Sequence, residues 1–532
     1  VLDEDGKPMV CMVEIASEPV SFRVWVANVG RCPVYLLDAN LPANQPHFRN
    51  LTQHVYGGDD STRIMQELLL GAGGVRLLRQ LCIEPSVYHM NEGHAAFLVL
   101  ELMRELIANG TAFAEALAVV KQQCLFTTHT PVPAGHDRFS RELMDYAARH
   151  FYKQLGVGAE ELMGLGRVNL DDTGEPFCMT VLALKAARAA NGVSELHGRV
   201  SREMWHALYP SDAADDVPIG HVTNGIHLAG WMKGPVRKFW RRKLEEAEPT
   251  ANWTKEISRP EFWARIEDVS FVSDEELWAL RYRLRRDLIE FARRRLQVQG
   301  QRSEPSDFIA FENLLNPDAL TIGFARRFAT YKRAPLVFDH FETLSGLVRD
   351  LQQPVQFVFA GKAHPRDDEG KRLIQQIIHL SQHNSLSDHL VFLENYDVHV
   401  ARQMVSGCDI WLNTPRRPLE ASGTSGMKAI CHGCLNLSIL DGWWREGYDG
   451  TNGFAIGGDA HPEDVVEQDR LDSENLYKVL SGEVIPCFYD RDEGGIPRAW
   501  ISKIRRAMVT LTAQYDTARM VREYTKRYYL TK

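Results

Sequence analysis

The sequence predicts an α/β protein with two open parallel sheets, and three observations carry that reading. Short apolar runs alternate with helical periodicity on both sides of a polar stretch from Gln299 to Asn316. The runs have strand length and the segments between them have helix length, as in βαβ units. Polar motifs directly follow several runs, at the strand ends where open α/β sheets bind ligands.

Length and composition bound what such a protein does. The chain has 532 residues, 44% hydrophobic and 25% charged, enough for several domains with ordinary cores. A formal charge of -9 argues against nucleic acid or an anionic membrane as the main partner. No apolar run approaches the ~20 residues that span a bilayer, and the start has no signal-peptide pattern, so no membrane partner is expected. The nine cysteines are scattered and odd in number, which suggests a reducing, cytoplasmic setting instead of a disulfide framework. Cys431-His432-Gly433-Cys434 has C-x-x-C spacing, but no second pair completes a zinc site. Buried small residues on a helix are the better reading, and no metal is expected.

In the first part, Ser21–Val26 and Pro33–Leu37 read as strands. Residues 61–82 read as a helix with Met65, Leu68, Leu69, Leu77 and Leu78 on one face. Gly71-Ala72-Gly73-Gly74 inside it reads as close helix packing. Ser86–Tyr88 is a strand, 92–108 a helix, and Cys124–Phe126 a strand running into Thr127-Thr128-His129-Thr130-Pro131. Ser273-Asp274-Glu275-Glu276 is a capping box opening a long basic helix to about residue 298. Its cluster Arg293, Arg294 and Arg295 reads as a solvated face. Beyond the polar boundary, strands are expected at Ala319–Phe324, Gln356–Ala360, Leu390–Leu393, Asp409–Asn413 and Leu435–Ile439, with a helix near 366–383 and another containing Lys428.

Three constellations carry chemistry. Glu420-Ala421-Ser422-Gly423-Thr424-Ser425-Gly426-Met427-Lys428 follows a strand and opens a helix. Gly423 and Gly426 allow close backbone approach. Unpaired N–H groups with the Thr424 and Ser425 hydroxyls suit an anion, and a lysine within two turns adds a nucleophilic amine. An aldehyde cofactor bearing a phosphate fits both; an ordinary capped helix start is the alternative. Arg326-Arg327-Phe328-Ala329-Thr330-Tyr331-Lys332-Arg333 gathers cations after another strand, which is costly unless an anion sits among them; a solvated basic loop is the alternative. In the first part, His129, Asn91-Glu92-Gly93-His94 and Asn224 offer groups suited to sugar hydroxyls, although each alone is as readily a structural contact. His89 and His94 are not in H-E-x-x-H register.

The motifs M-N-E-G-H, F-T-T-H-T-P, V-T-N-G-I, R-R-F-A-T-Y-K-R and E-A-S-G-T-S-G-M-K, in this order along the chain, resemble the α-glucan phosphorylase family over nearly the whole chain. The resemblance implies two Rossmann-like lobes of the GT-B type with the active site between them. Residues 1–305 would form the first lobe, 306–500 the cofactor-binding lobe, and 501–532 helices packing back on the first. It implies reversible phosphorolysis of an α-1,4-glucan by inorganic phosphate, giving α-glucose 1-phosphate with retention. The cofactor implied is pyridoxal 5'-phosphate, as a Schiff base on Lys428, with Thr424, Ser425, Gly426, Arg326 and Trp231 around it. Arg327 and Lys332 would hold the substrate phosphate, and His129, Asn224, Glu420, Ser422 and Gly423 the glucosyl unit. Lys428, Arg327, Lys332, His129 and Glu420 form the implied catalytic set. The family is often dimeric, but the sequence displays no interface.

Two departures matter. The family's Gly-rich loop, roughly G-N-G-G-L-G, is expected upstream of Val1, so the chain reads as N-terminally incomplete. Ala329 stands where longer members usually carry His, and Asp441–Tyr448 resembles the shorter microbial branch, without the phosphorylation or nucleotide regulation of animal enzymes. A nucleotide-sugar glucan synthase of the same architecture, or an inactive glucan-binding remnant, are the other readings; a synthase needs no lysine-bound cofactor.

Overall fold

A computed structural model describes residues 1–54, 58–210, 213–300, 314–365, 367–383, 386–459 and 462–531. Most of the polar boundary read at 299–316 lies outside the described residues. The chain divides into two compact units, one of Val1–Val193, Gly198–His221 and Tyr528–Lys532, the other of Ser194–His197 and Val222–Arg527.

The first unit opens on an antiparallel sheet of β1 (Val10–Ile15), β2 (Glu18–Val29) and β3 (Cys32–Asp38). This differs from the parallel pattern the sequence suggested. The connections are too short for a crossover helix: Ala16 and Ser17, with φ of 52° and 62°, turn β1 into β2. Two successive left-handed residues make the hairpin turn whose twist matches the strands, and neither residue type announces it. Along these strands Cys11, Val13, Ile15, Val20, Phe22 and Val24 are buried while their alternating neighbours face outward.

A parallel sheet follows, of β4 (Tyr88–Asn91), β5 (Cys124–Thr127), β8 (Ala189–Gly192) and β9 (Ile219–His221), in the order β4-β5-β8-β9. β6 (Arg138–Phe139) and β7 (Phe177–Cys178) form a small ladder. The helix Asp60–Gln80 packs on the helix Leu98–Ala108. Gly71 is the contact point, since a Cβ there would lie 2.7 Å from the Leu98 nitrogen. The expected helix at 92–108 is interrupted: Glu92 has φ 71°, a short 3-10 turn covers Gly93–Ala95, and the α-helix starts at Leu98.

The second unit is built on six parallel strands, β10 (Leu320–Arg327), β11 (Val355–Lys362), β12 (Leu390–Leu393), β13 (Ile410–Asn413), β14 (Leu435–Ile439) and β15 (Phe454–Ile456). Their order is β12-β11-β10-β13-β14-β15. Numbered within the sheet this is 3-2-1-4-5-6, the doubly wound order, with its switch point between β10 and β13. Buried Asp409 secures that junction, accepting from the Thr321 backbone at 3.1 Å and from Arg285 at 2.8 Å. The capping box is present, with Ser273 N–H donating to Glu276 and Glu276 N–H to Ser273 Oγ. Arg293 and Arg295 on the long helix Asp274–Gly300 are not a solvated face. Arg293 donates to the carbonyls of Leu314 and Leu315, and Arg295 to those of Glu394 and Asn395. Among the described residues no helix is long and apolar enough to cross a membrane.

Gly71→Ala should destabilise the first unit by about 1–3 kcal/mol, because backbone atoms must yield. Gly74→Ala, on the same helix with nothing within 4 Å, should be neutral or stabilising by up to about 1 kcal/mol. Urea unfolding of the two variants makes the comparison.

Candidate active site

The switch point of the second unit gathers most of the residues the sequence singled out. β10 ends in Arg326 and Arg327, and the chain turns at Thr330–Lys332. β13 runs into a loop that carries Glu420 and Ser422 and leads to the lysine helix Thr424–Ile430. Gly423, at φ 86°, makes the turn into that helix, a conformation that favours glycine.

Glu420 joins the two strand ends. Its carboxylate accepts from Arg326 Nη2 at 2.8 Å and from Lys332 Nζ at 3.2 Å, and all three side chains are nearly or fully buried. Burial works against its charge, but the two cations outweigh that and lower its pKa to about 2. Lys332 is instead pushed toward its neutral form: burial first, then the neighbouring Arg326, lower its pKa to about 8. Arg327 is exposed at the strand end.

The loop bearing Glu420 is fixed from behind. Asp441, buried, accepts from the Glu420 and Gly442 backbone N–H groups at 2.9 and 2.8 Å. The Trp443 N–H donates to the Ser422 carbonyl at 2.9 Å, and a Cβ on Gly442 would lie 2.5 Å from that oxygen. Burial raises the pKa of Asp441 to about 7.

Lys428 is half-buried, with its Nζ 4.3 Å from the centre of the Trp231 ring. Burial holds the amine below its ordinary pKa. Ser425 accepts from Trp411 Nε1 at 3.0 Å, and Gly426 must be glycine because a Cβ would lie 2.3 Å from Asn436 Oδ1. Asn224 stands beside a short pairing of Ile226 with Tyr515 and Thr517, and its carbonyl accepts from Arg519.

Whether these residues suit a phosphate-bearing aldehyde can be judged from what they leave unmet. Arg326 Nη1, Ser422 Oγ and Asn413 Oδ1 are buried without a hydrogen-bond partner among the described residues. Such groups are costly unless a polar ligand satisfies them. An amine of lowered pKa, a half-used guanidinium and an unmet hydroxyl fit that group.

His129 belongs to the first unit. Its Nε2 lies 2.7 Å from Asn91 Oδ1, and its backbone N–H donates to Glu92 at 2.6 Å. Burial first, then His89 and His94, lower its pKa to about 4, so the ring is neutral. Nearby residues form a group the sequence reading missed. Ligand atoms of Glu67, His94 and Asp137 lie within 4.8 Å of one another, and no metal was expected here. The Arg63 side chain pairs with all three, its Nη2 2.7 Å from His94 Nδ1 and 3.2 Å from Asp137, and its Nε 3.1 Å from Glu67, so a cation already occupies the group's centre. Their separation in sequence hid the group.

A sequence model described as carbohydrate phosphorylase matches residues 77–446. This chain belongs to the carbohydrate phosphorylase family. It is similar to the maltodextrin phosphorylase of Thermococcus litoralis, with 40% identity over 531 residues, 99% of this chain and 60% of that protein. It is 42% identical to the glycogen phosphorylase of Mycobacterium tuberculosis over 99% of this chain and 61% of that protein. For the glycogen phosphorylase of Aquifex aeolicus the identity is 38%, covering 99% of this chain and 75% of that protein. The chain thus spans about six tenths of the length of the first two. Within the phosphorylase family match lie the cation loop, Glu420 and the lysine helix.

Loss of the Lys332 charge should be visible as anion release. Sulfate keeps its charge across this range, so its affinity should fall about tenfold between about pH 7 and about pH 9, following the lysine pKa of about 8. Calorimetric titration of wild type and Lys332→Met checks this, the variant being expected to bind weakly at both pH values.

Proposed function

We propose that the protein of which this chain is part is an α-1,4-glucan phosphorylase, a glycosyltransferase that transfers the non-reducing glucosyl unit of a glucan to inorganic phosphate. The reading rests above all on one observation: in a chain of the phosphorylase family, a half-buried lysine amine of lowered pKa lies under Trp231, in the helix that the Glu420 loop leads into, and Glu420 binds Arg326 and Lys332. The product would be α-glucose 1-phosphate, formed with retention.

In this reading Lys428 would hold pyridoxal 5'-phosphate covalently, Trp231 would stand beside it, and Arg326, Thr424, Ser425 and Gly426 would bind its phosphate. Bound there, the cofactor would supply a phosphate able to serve as the acid–base group beside the substrate phosphate. Arg327 and Lys332 bind the substrate phosphate and offset the charge gathered when two phosphates approach. Glu420, Ser422 and Gly423 bind hydroxyls of the glucosyl unit, as do Asn224 and the neutral His129. Two Rossmann-like lobes of the GT-B type are the architecture proposed, with residues 1–305, 306–500 and 501–532 as its parts. A cytoplasmic location is proposed with it, supported by nine free cysteines, and a homodimer is the assembly most in keeping with the family.

A nucleotide-sugar synthase needs no reactive lysine, which weighs against that alternative. Lys428→Ala should lose all bound pyridoxal phosphate, and phosphate-dependent glucose 1-phosphate formation should fall below detection. Cofactor content by absorbance and product assay of the full-length protein test this; stoichiometric cofactor in the variant would assign the attachment elsewhere.

A further inference from the structure

Immediately past the lysine helix, His432 is fully buried and both ring nitrogens are engaged. Its Nδ1 lies 2.8 Å from the Lys428 carbonyl oxygen, and its Nε2 lies 3.0 Å from the Lys233 backbone nitrogen. These partners fix the tautomer. A carbonyl can only accept, so Nδ1 carries the proton, and a backbone N–H can only donate, so Nε2 offers its lone pair. Burial keeps the ring neutral by lowering its pKa to about 3, in accord with that assignment.

What the ring connects gives it a role. Lys233 caps the helix Gly234–Ala247 without a side-chain cap of its own, and two residues earlier Trp231 ends the short helix Leu228–Trp231. The Trp231 ring covers the Lys428 amine, and Arg402 approaches the same ring at 5.9 Å while donating to the Gly230 carbonyl. The segment bearing the tryptophan is therefore held on one side by Arg402 and on the other by His432.

We infer that His432 is a positioning residue: by tying the Lys428 carbonyl to the Lys233 amide, it holds the Trp231 ring over the Lys428 amine. An ordinary buried histidine would satisfy a helix carbonyl and affect only stability. Here the second hydrogen bond reaches the segment that covers the reactive amine, so loss of His432 lets water reach Lys428. Its functional meaning rests on reading Lys428 as the cofactor lysine, but the contact can be tested without cofactor.

The experiment is trace acetylation of the cofactor-free chain against pH, with Lys428 followed by peptide mass spectrometry. His432→Leu should raise the Lys428 midpoint by about half a pH unit or more, because the amine gains hydration. His432→Gln, whose amide oxygen can still accept from Lys233, should stay close to wild type. In a Trp231→Ala background His432→Leu should add nothing, the non-additivity expected of residues acting through one contact. Should the leucine variant not fold, His432→Asn decides, since it can donate to the Lys428 carbonyl but cannot reach the Lys233 amide. An unchanged midpoint in the folded variant, or an equal shift with Trp231 absent, overturns the inference. Failure of Lys428 to bind pyridoxal phosphate would instead overturn the proposed function and leave this result standing or falling by itself.

Discussion

The buried carboxylate of Glu420 is the interaction on which the second unit's site depends. Two cations at a strand end repel each other, and their burial strips away the water that would screen them. Glu420 makes their proximity tolerable by accepting from both. Its own charge survives burial only because they are there, which is why its pKa falls; that of Lys332 falls for a different reason, burial and the nearby Arg326, which outweigh the pull of the carboxylate. Removing one member of such a group costs about 3–5 kcal/mol, largely through the charge left behind. The arrangement balances without a ligand, yet Arg326 keeps an unmet Nη1, so the balance leaves capacity for an anion.

The fold explains why these residues meet. Arg326 and Glu420 are 94 positions apart, but β10 and β13 are neighbours because the strand order reverses between them. Asp409 ties that pair at its entrance through Thr321, Arg281 and Arg285, and Asp441 ties the Glu420 loop at its exit. A doubly wound sheet opens a crevice at this point. Buried polar anchors at both ends give the site its position, and the apolar strands between them supply the stability.

The sequence made the second unit legible because its strands are buried on both faces and read as continuous apolar runs, as at Leu320–Arg327 and Val355–Lys362. The motifs at their ends could be named from residue type and spacing. The antiparallel sheet was harder, since its turn puts Ala16 and Ser17 in the left-handed region, which neither residue type favours. Arg293 looked like a solvated face because nothing local reveals carbonyls that come from residues far along the chain. Asp441 and His432 escaped for the same reason: each acts through backbone groups of another segment, and hydrogen bonds to backbone leave no trace in residue identity. The Glu67, His94 and Asp137 group is likewise a product of folding alone.

If Glu420 occupies cations that otherwise bind phosphate, neutralising it without changing its shape should free them. The measurement is the dissociation constant of inorganic phosphate for wild type and Glu420→Gln, near a pH of about 6.5, where the lysine stays charged. Binding at least about tenfold tighter in the variant is expected from the released charge. Unchanged or weaker binding, in a variant that remains folded, would contradict a site organised by that carboxylate.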